Sequence, residues 1–218
     1  MRLWQRTAAE LVGTALLLAI VVGSGIMGER LADGNVAIAL LANSLATGFG
    51  LFVLIVTFAP VSGAHFNPLV TLTSLAAREM RVADALCFIA AQIAGAVLGV
   101  MIANAMFDLA PIVLATKSRT GAPLWLGEMV ATFGLLLTIL ATSRRGNAVT
   151  AAAVGAFITA GYWFTSSTSF ANPVVSFARA LTPTFTGISL VDVPGFIVAQ
   201  CIGAVLGVLF FRRVMTPR

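Results

Sequence analysis

Six stretches of this chain, near residues 7–27, 36–58, 83–107, 124–143, 147–164 and 190–212, are almost free of charge and long enough to cross a membrane. At 1.5 Å of rise per helical residue, about 20 residues span the roughly 30 Å of bilayer hydrocarbon. Six such stretches within 218 residues leave little chain for anything else. With 59% hydrophobic and only 10% charged residues, the composition lies far from that of soluble globular domains. The sequence predicts an all-α membrane protein, a single transmembrane domain over residues 1–218. Its first apolar stretch is expected to be a retained span rather than a cleaved signal peptide.

Two further apolar pieces, 67–77 and 172–181, are too short to cross, and each opens on Asn-Pro: SGAHFNPLVT at 62–71 and STSFANPVVS at 167–176. Proline inside a helix breaks it, but at the first helical position its missing N–H costs nothing, and Asn is a favoured N-cap. Asn67-Pro68 and Asn172-Pro173 therefore predict two half-helices that begin inside the bilayer, each about half the hydrocarbon thickness in length. The irregular backbone leading to each cap cannot face lipid, where every unpaired N–H or C=O costs several kcal/mol, so it must line a polar path. Helix N-termini carry partial positive charge and the Asn amides offer donors. Such a path repels cations and suits neutral molecules that accept hydrogen bonds.

The chain is internally duplicated. AQIAGAVLGV at 91–100 returns as AQCIGAVLGV at 199–208, AELVGTALLL at 9–18 is echoed by GEMVATFGLL at 127–136, and the two Asn-Pro segments form a third pair in the same order. Three spans per half is an odd number, so the halves, about 1–115 and 120–218, enter from opposite faces as inverted repeats with the functional site near mid-membrane. The loop around 108–123 joins them.

Charge gives an orientation. With the N-terminus cytoplasmic, Arg2, Arg6, Arg78, Arg81, Arg144, Arg145, Arg212, Arg213 and Arg218 lie inside, against Arg30, Lys117, Arg119 and Arg179 outside. Both termini are then cytoplasmic, as in a multi-pass protein of a bacterial inner membrane. The net charge of +5 is spread over span ends rather than gathered into a patch, so no nucleic-acid partner is expected. Cys87 and Cys201 have no His or Cys at metal-ligand spacing and read as small core residues. One histidine is too few for a metal site, and no nucleophile, base and ligand cluster suggests an enzyme; neither metal nor cofactor is expected.

On its six spans, paired Asn-Pro half-spans, SGAHFNP box and a Glu in the first span of each half, the sequence resembles the aquaporin or major intrinsic protein superfamily over its whole length. That resemblance implies six transmembrane helices plus two re-entrant half-helices. It also implies a homotetramer with one pore per chain, and Glu10 and Glu128 as acceptors that tie down the re-entrant backbone. A proton relay is the rival role for the two carboxylates. His65 is expected to brace its loop so that the carbonyls of Gly63, Ala64 and His65 face the pore, with a pH gate as the alternative. Gln92 and Gln200 read as helix-to-helix hydrogen-bonding groups. The family motif is Asn-Pro-Ala; here Leu69 and Val174 take the third place.

Counting from the two Asn residues places the family's four-residue selectivity filter at Thr47, Ala160, Ser169 and Val175. No aromatic, His or Arg stands at these positions, so a wide, weakly polar filter is expected. Arg179, one helical turn beyond Val175, either reaches back into the filter or lies at the outer surface against Asp192 or lipid phosphate. Val175 with the following FARALT stretch is similar to bacterial aquaporin-like proteins associated with arsenic-resistance operons. The expected function is a passive channel for water and small neutral solutes, glycerol-like ones or arsenite and methylated arsenicals. The rival is an ion- or proton-coupled secondary transporter, which shares inverted repeats and broken helices.

Overall fold

The computed structural model describes residues 1–216; Arg218, counted above among the inner charges, lies outside them. Eight α-helices follow in order: α1 Leu3–Leu31, α2 Val36–Ser62, α3 Pro68–Ala76, α4 Val82–Met106, α5 Ala122–Thr142, α6 Asn147–Phe164, α7 Pro173–Ala178 and α8 Val193–Phe210. One 3-10 turn, Arg179–Leu181, extends α7, and a π-helical turn, Phe211–Met215, ends α8. Five of the long helices are apolar enough to cross a membrane by length and composition. The sixth, α6, has 18 residues and is diluted by Asn147, Thr150, Thr159 and Tyr162. No strand occurs among the described residues.

The packing repeats with the sequence. Helix α1 packs on α2 and α4; its counterpart α5 packs on α6 and α8; α2 and α6 meet at the centre. Small residues set these approaches. A Cβ on Gly95 or Gly99 of α4 would run into the Leu11 or Ala15 carbonyl of α1, and one on Gly203 or Gly207 of α8 into Met129 or Phe133 of α5. The duplicated GAVLGV segments are thus two copies of one close helix contact, which gains its energy from packing in an apolar solvent. Gly48 and Gly155 form the matching central contact between α2 and α6.

Outward faces carry Leu16, Ile38, Leu41, Phe49, Val53, Val130, Val198 and Val205, all exposed. Cys201 belongs to this lipid-facing set and Cys87 is half-buried, so neither is the core residue the sequence suggested. The small side chains that the interior needs are supplied by the neighbouring glycines instead. Among the described residues, the basic groups sort to the two ends. Arg6 and Arg81 pair with Asp84 at 3.6 and 2.9 Å at one end. At the other end Arg30 and Lys117 donate to the carbonyls of Phe107 and Phe185.

Candidate functional site

A cavity of about 110 Å³ runs between the two halves. Thr150, Val154, Ile158 and Tyr162 line it, every fourth residue of α6, a face about 18 Å long. Leu17 and Val21 of α1 oppose Leu135 and Ile139 of α5, each pair separated by the same 118 positions that separate Glu10 from Glu128. The duplication therefore built both walls and both carboxylates at once.

Halfway along, the two re-entrant segments meet. Asn67 Oδ1 accepts from Leu69 N at 2.9 Å and Asn172 Oδ1 from Val174 N at 3.1 Å, the N-cap bonds that start α3 and α7 on Pro68 and Pro173. Each Asn also reaches across: Asn67 Nδ2 donates to the Ala171 carbonyl at 2.9 Å, and Asn172 Nδ2 to the Phe66 carbonyl at 2.8 Å. One amide hydrogen of each Asn is spent on the opposite loop. The second has no partner in the chain and both side chains line the cavity, so each offers one donor to whatever passes.

The segments before the caps are irregular and symmetric. Ala64 and Phe66 in the first, Ser169 and Ala171 in the second, take positive φ of 50–52°, at the third and first positions before Asn. Left-handed backbone costs L-residues of order 1 kcal/mol each and needs support. Glu10 provides it by accepting from Ser62 Oγ at 2.6 Å, His65 N at 3.0 Å and Phe66 N at 2.7 Å. Glu128 does the same for Phe170 N at 2.8 Å and Ala171 N at 2.9 Å. Behind each carboxylate stands a glutamine: Gln92 Nε2 donates to Glu10 and to Thr71 Oγ1, Gln200 Nε2 to Glu128 and to Ser176 Oγ. The glutamines thus join helices within each half, α4 to α1 and α3, and α8 to α5 and α7. Glu10 and Glu128 are fully buried and do not line the cavity.

Gly63, Ala64 and His65 line the cavity on the α3 side. His65 Nδ1 lies 3.0 Å from Thr71 Oγ1, and its ring meets Phe88 edge to face. The ring is fixed by α3 and α4.

At the other end the four counted filter positions separate. Thr47, Ser169 and Val175 line the cavity, but Ala160 is exposed. Helix α6 buries Ala151, Val154, Gly155, Ile158, Gly161 and Tyr162, so Ala160 falls on the outer face, two residues or about 200° from Tyr162. Counting back from Asn172 assumes a fixed path between α6 and the cap, and the rotation of α6 does not follow it. Tyr162 lines the cavity on that side of α6, its hydroxyl 3.2 Å from Thr47 Oγ1. Ser169 Oγ is buried without a partner in the chain.

Arg179 is 2% exposed and lines the cavity. It does not reach Asp192, which accepts from Ser118 Oγ and Arg119 N. Its Nε donates to the Thr186 carbonyl and its guanidinium carbon lies 3.4 Å from the Phe170 ring centre. With Tyr162 and Arg179 in the wall, this end is bulkier and more polar than the four-residue count predicts. Tyr162 and Phe170 line the cavity although the sequence reading does not single them out. The i, i+4 register with Thr150, Val154 and Ile158 is the signal that could have found Tyr162.

No group of three or more metal-ligating side chains occurs among the described residues.

Over most of its length the chain is similar to proteins of one family. Residues 1–168 match the family model described as major intrinsic protein. The chain is 47% identical over 215 residues to the aquaglyceroporin AqpS of Rhizobium meliloti, covering 99% of this chain and 92% of that relative. It is 30% identical over 233 residues to human aquaporin-1, covering 99% and 83%. The fold superimposes on the aquaglyceroporin of Plasmodium falciparum with a TM-score of 0.80 over 99% of this chain and 98% of that one, at 20% identity.

Proposed function

The chain belongs to the major intrinsic protein family; it is a passive membrane channel for water and glycerol-like solutes, and we propose that the cavity between its halves is the pore. The carrying observation is the reciprocal pair of Asn bonds, which leaves two amide donors in the lumen at the point where the halves meet. Asn67 and Asn172 present these donors, Pro68 and Pro173 fix the helix starts, and Thr47, Tyr162, Ser169 and Val175 form the outer narrowing, with the carbonyls of Gly63, Ala64 and His65 on the opposite approach. Glu10, Glu128 and His65 hold the loops. A solute stripped of water regains hydrogen bonds from these groups while the apolar wall of Leu17, Val21, Leu135 and Ile139 gives it none to cling to. Neutral arsenic hydroxides present hydroxyls much as glycerol does and fit the same lumen.

A coupled transporter needs an ionisable relay, and the two intramembrane carboxylates are engaged behind the wall. We further infer halves of about 1–115 and 120–218, both termini on the cytoplasmic side of a bacterial inner membrane, a homotetrameric assembly, and no enzymatic activity. The test is flux in proteoliposomes without any ion or pH gradient. Glycerol and water should cross faster than in protein-free vesicles, and flux that appears only with an imposed gradient would refute the channel.

A further inference from the structure

Away from the cavity, on the lipid-facing side of the first half, a groove runs between α1 and α4, lined by Leu3, Trp4, Thr7, Ala8, Leu11 and Cys87. Trp4 is 65% exposed at its edge, and Leu86, next to Cys87, is exposed as well. The counterpart of this groove in the second half is closed. Offsets of 118 and 108 positions, which relate Glu10 to Glu128 and Gly95 to Gly203, carry Thr7 onto Trp125 and Cys87 onto Gly195. There the indole covers the glycine so closely that a Cβ on Gly195 would come within 2.6 Å of Trp125 Nε1. The second half fills the place with its own side chain. The first half, with a threonine and a cysteine, leaves it open to an apolar occupant from outside.

The groove ends among cations. Arg6 and Arg81 share the one carboxylate of Asp84, at 3.6 and 2.9 Å, and Arg6 also lies 5.0 Å over the Phe88 ring. Arg2 is exposed one helical turn before Arg6, and among the described residues its guanidinium has no hydrogen bond or ion pair. Arg81 is the N-cap of α4, six residues or about 9 Å along the axis from Cys87. Its side chain is 79% exposed and turns Nε and one Nη to Asp84, which leaves the other Nη open. Three guanidiniums against one carboxylate leave two positive charges in excess at the mouth of an apolar groove. The second half brings Arg144, Arg145, Arg212 and Arg213 to the same end of the molecule and no carboxylate, so a second copy of this chain offers the mouth no opposite charge.

We propose that this groove binds one anionic phospholipid of the adjoining leaflet. An acyl chain lies along Leu3, Ala8, Leu11 and Cys87 beside the Trp4 indole, and the phosphate is taken by Arg2 and Arg81. A guanidinium fork matches two phosphate oxygens, an indole at the edge of the hydrocarbon suits the headgroup level, and excess positive charge selects an anionic headgroup over a zwitterionic one.

The test is native mass spectrometry of the detergent-purified full chain titrated with phosphatidylglycerol or phosphatidylcholine of identical acyl chains. The wild type should hold one phosphatidylglycerol per chain about thirtyfold tighter than phosphatidylcholine, the effect of two arginines near a charged headgroup. Arg2→Gln and Arg81→Gln should each reduce that preference about fivefold. Thr7→Trp combined with Cys87→Gly copies the closed groove of the second half and should remove the tight lipid altogether, with either headgroup. If the double variant does not fold, benzoylphenylalanine in place of Trp4, irradiated in vesicles that contain phosphatidylglycerol, should gain the mass of one lipid. Equal affinity for the two lipids in the wild type overturns the proposal, as does tight lipid retained by the folded double variant. A photoproduct joining two chains, in place of a lipid adduct, overturns it in favour of a second copy as the occupant.

Discussion

Glu10 and Glu128 each collect several donors that have no alternative partner, so their value lies in being acceptors only. Replacing Glu10 with Gln turns one oxygen into an amide that faces donors, leaving at least one buried N–H unpaired. That should cost about 2–4 kcal/mol of stability. The check is the midpoint of thermal unfolding in detergent, which should fall for Glu10→Gln and for Glu128→Gln alike. An unchanged midpoint with altered pH dependence of flux would favour a proton relay. At the outer narrowing, Tyr162→Ala should raise the glycerol-to-water ratio several-fold, whereas Ala160→Phe, on the lipid face, should leave it alone. The opposite ranking would restore the sequence-counted filter. The Glu residues and Asn caps were legible because each belongs to a repeat pair inside an apolar run. Tyr162 was not, because a loop of unknown length separates it from its landmark, and two residues of slip turn a helix by more than half a circle.

Among the elements, the half-helices are the least autonomous. Both are short, α3 with nine residues and α7 with six before its 3-10 turn, well below the length at which an isolated helix is stable. They persist because each is capped by Asn, started by Pro and clamped through its glutamate. The long helices depend instead on close approach. Gly99→Val should drive a branched side chain into the Ala15 carbonyl and prise α1 from α4, and Gly207→Val should do the same between α5 and α8. Each substitution should lower the yield of folded protein by size-exclusion chromatography, while Val97→Leu, between the two glycines of α4, serves as the tolerant control. If the glycine variants matched the control, packing at these contacts would not be what binds the pairs. Spacing of Gly in a repeated segment was readable from the sequence; which helix each Gly meets was not.

The molecule as a whole presents its outer mouth as a cationic rim. Arg119 and Arg179 lie close enough to Lys117 that, after burial, they push its ammonium below the ordinary lysine value. With Arg179 inside the lumen and no carboxylate on the wall, no Na⁺ or K⁺ current is expected from purified protein in planar bilayers, and measurable cation conductance would contradict the arrangement. Cross-linking in native membranes should yield a tetramer; monomers alone would argue against that assembly. The sequence by itself determined the spans, the inverted duplication, the two capped half-helices and the carboxylates behind them, because bilayer thickness, helix capping and the cost of buried charge act on neighbours along the chain. Only the tertiary structure decided that Tyr162 rather than Ala160 faces the lumen, and that Arg179 leans on Phe170 rather than on Asp192. The first depends on how α6 is rotated against α2, 115 residues away in the chain, and the second on how the segment before α7 folds back beneath Arg179.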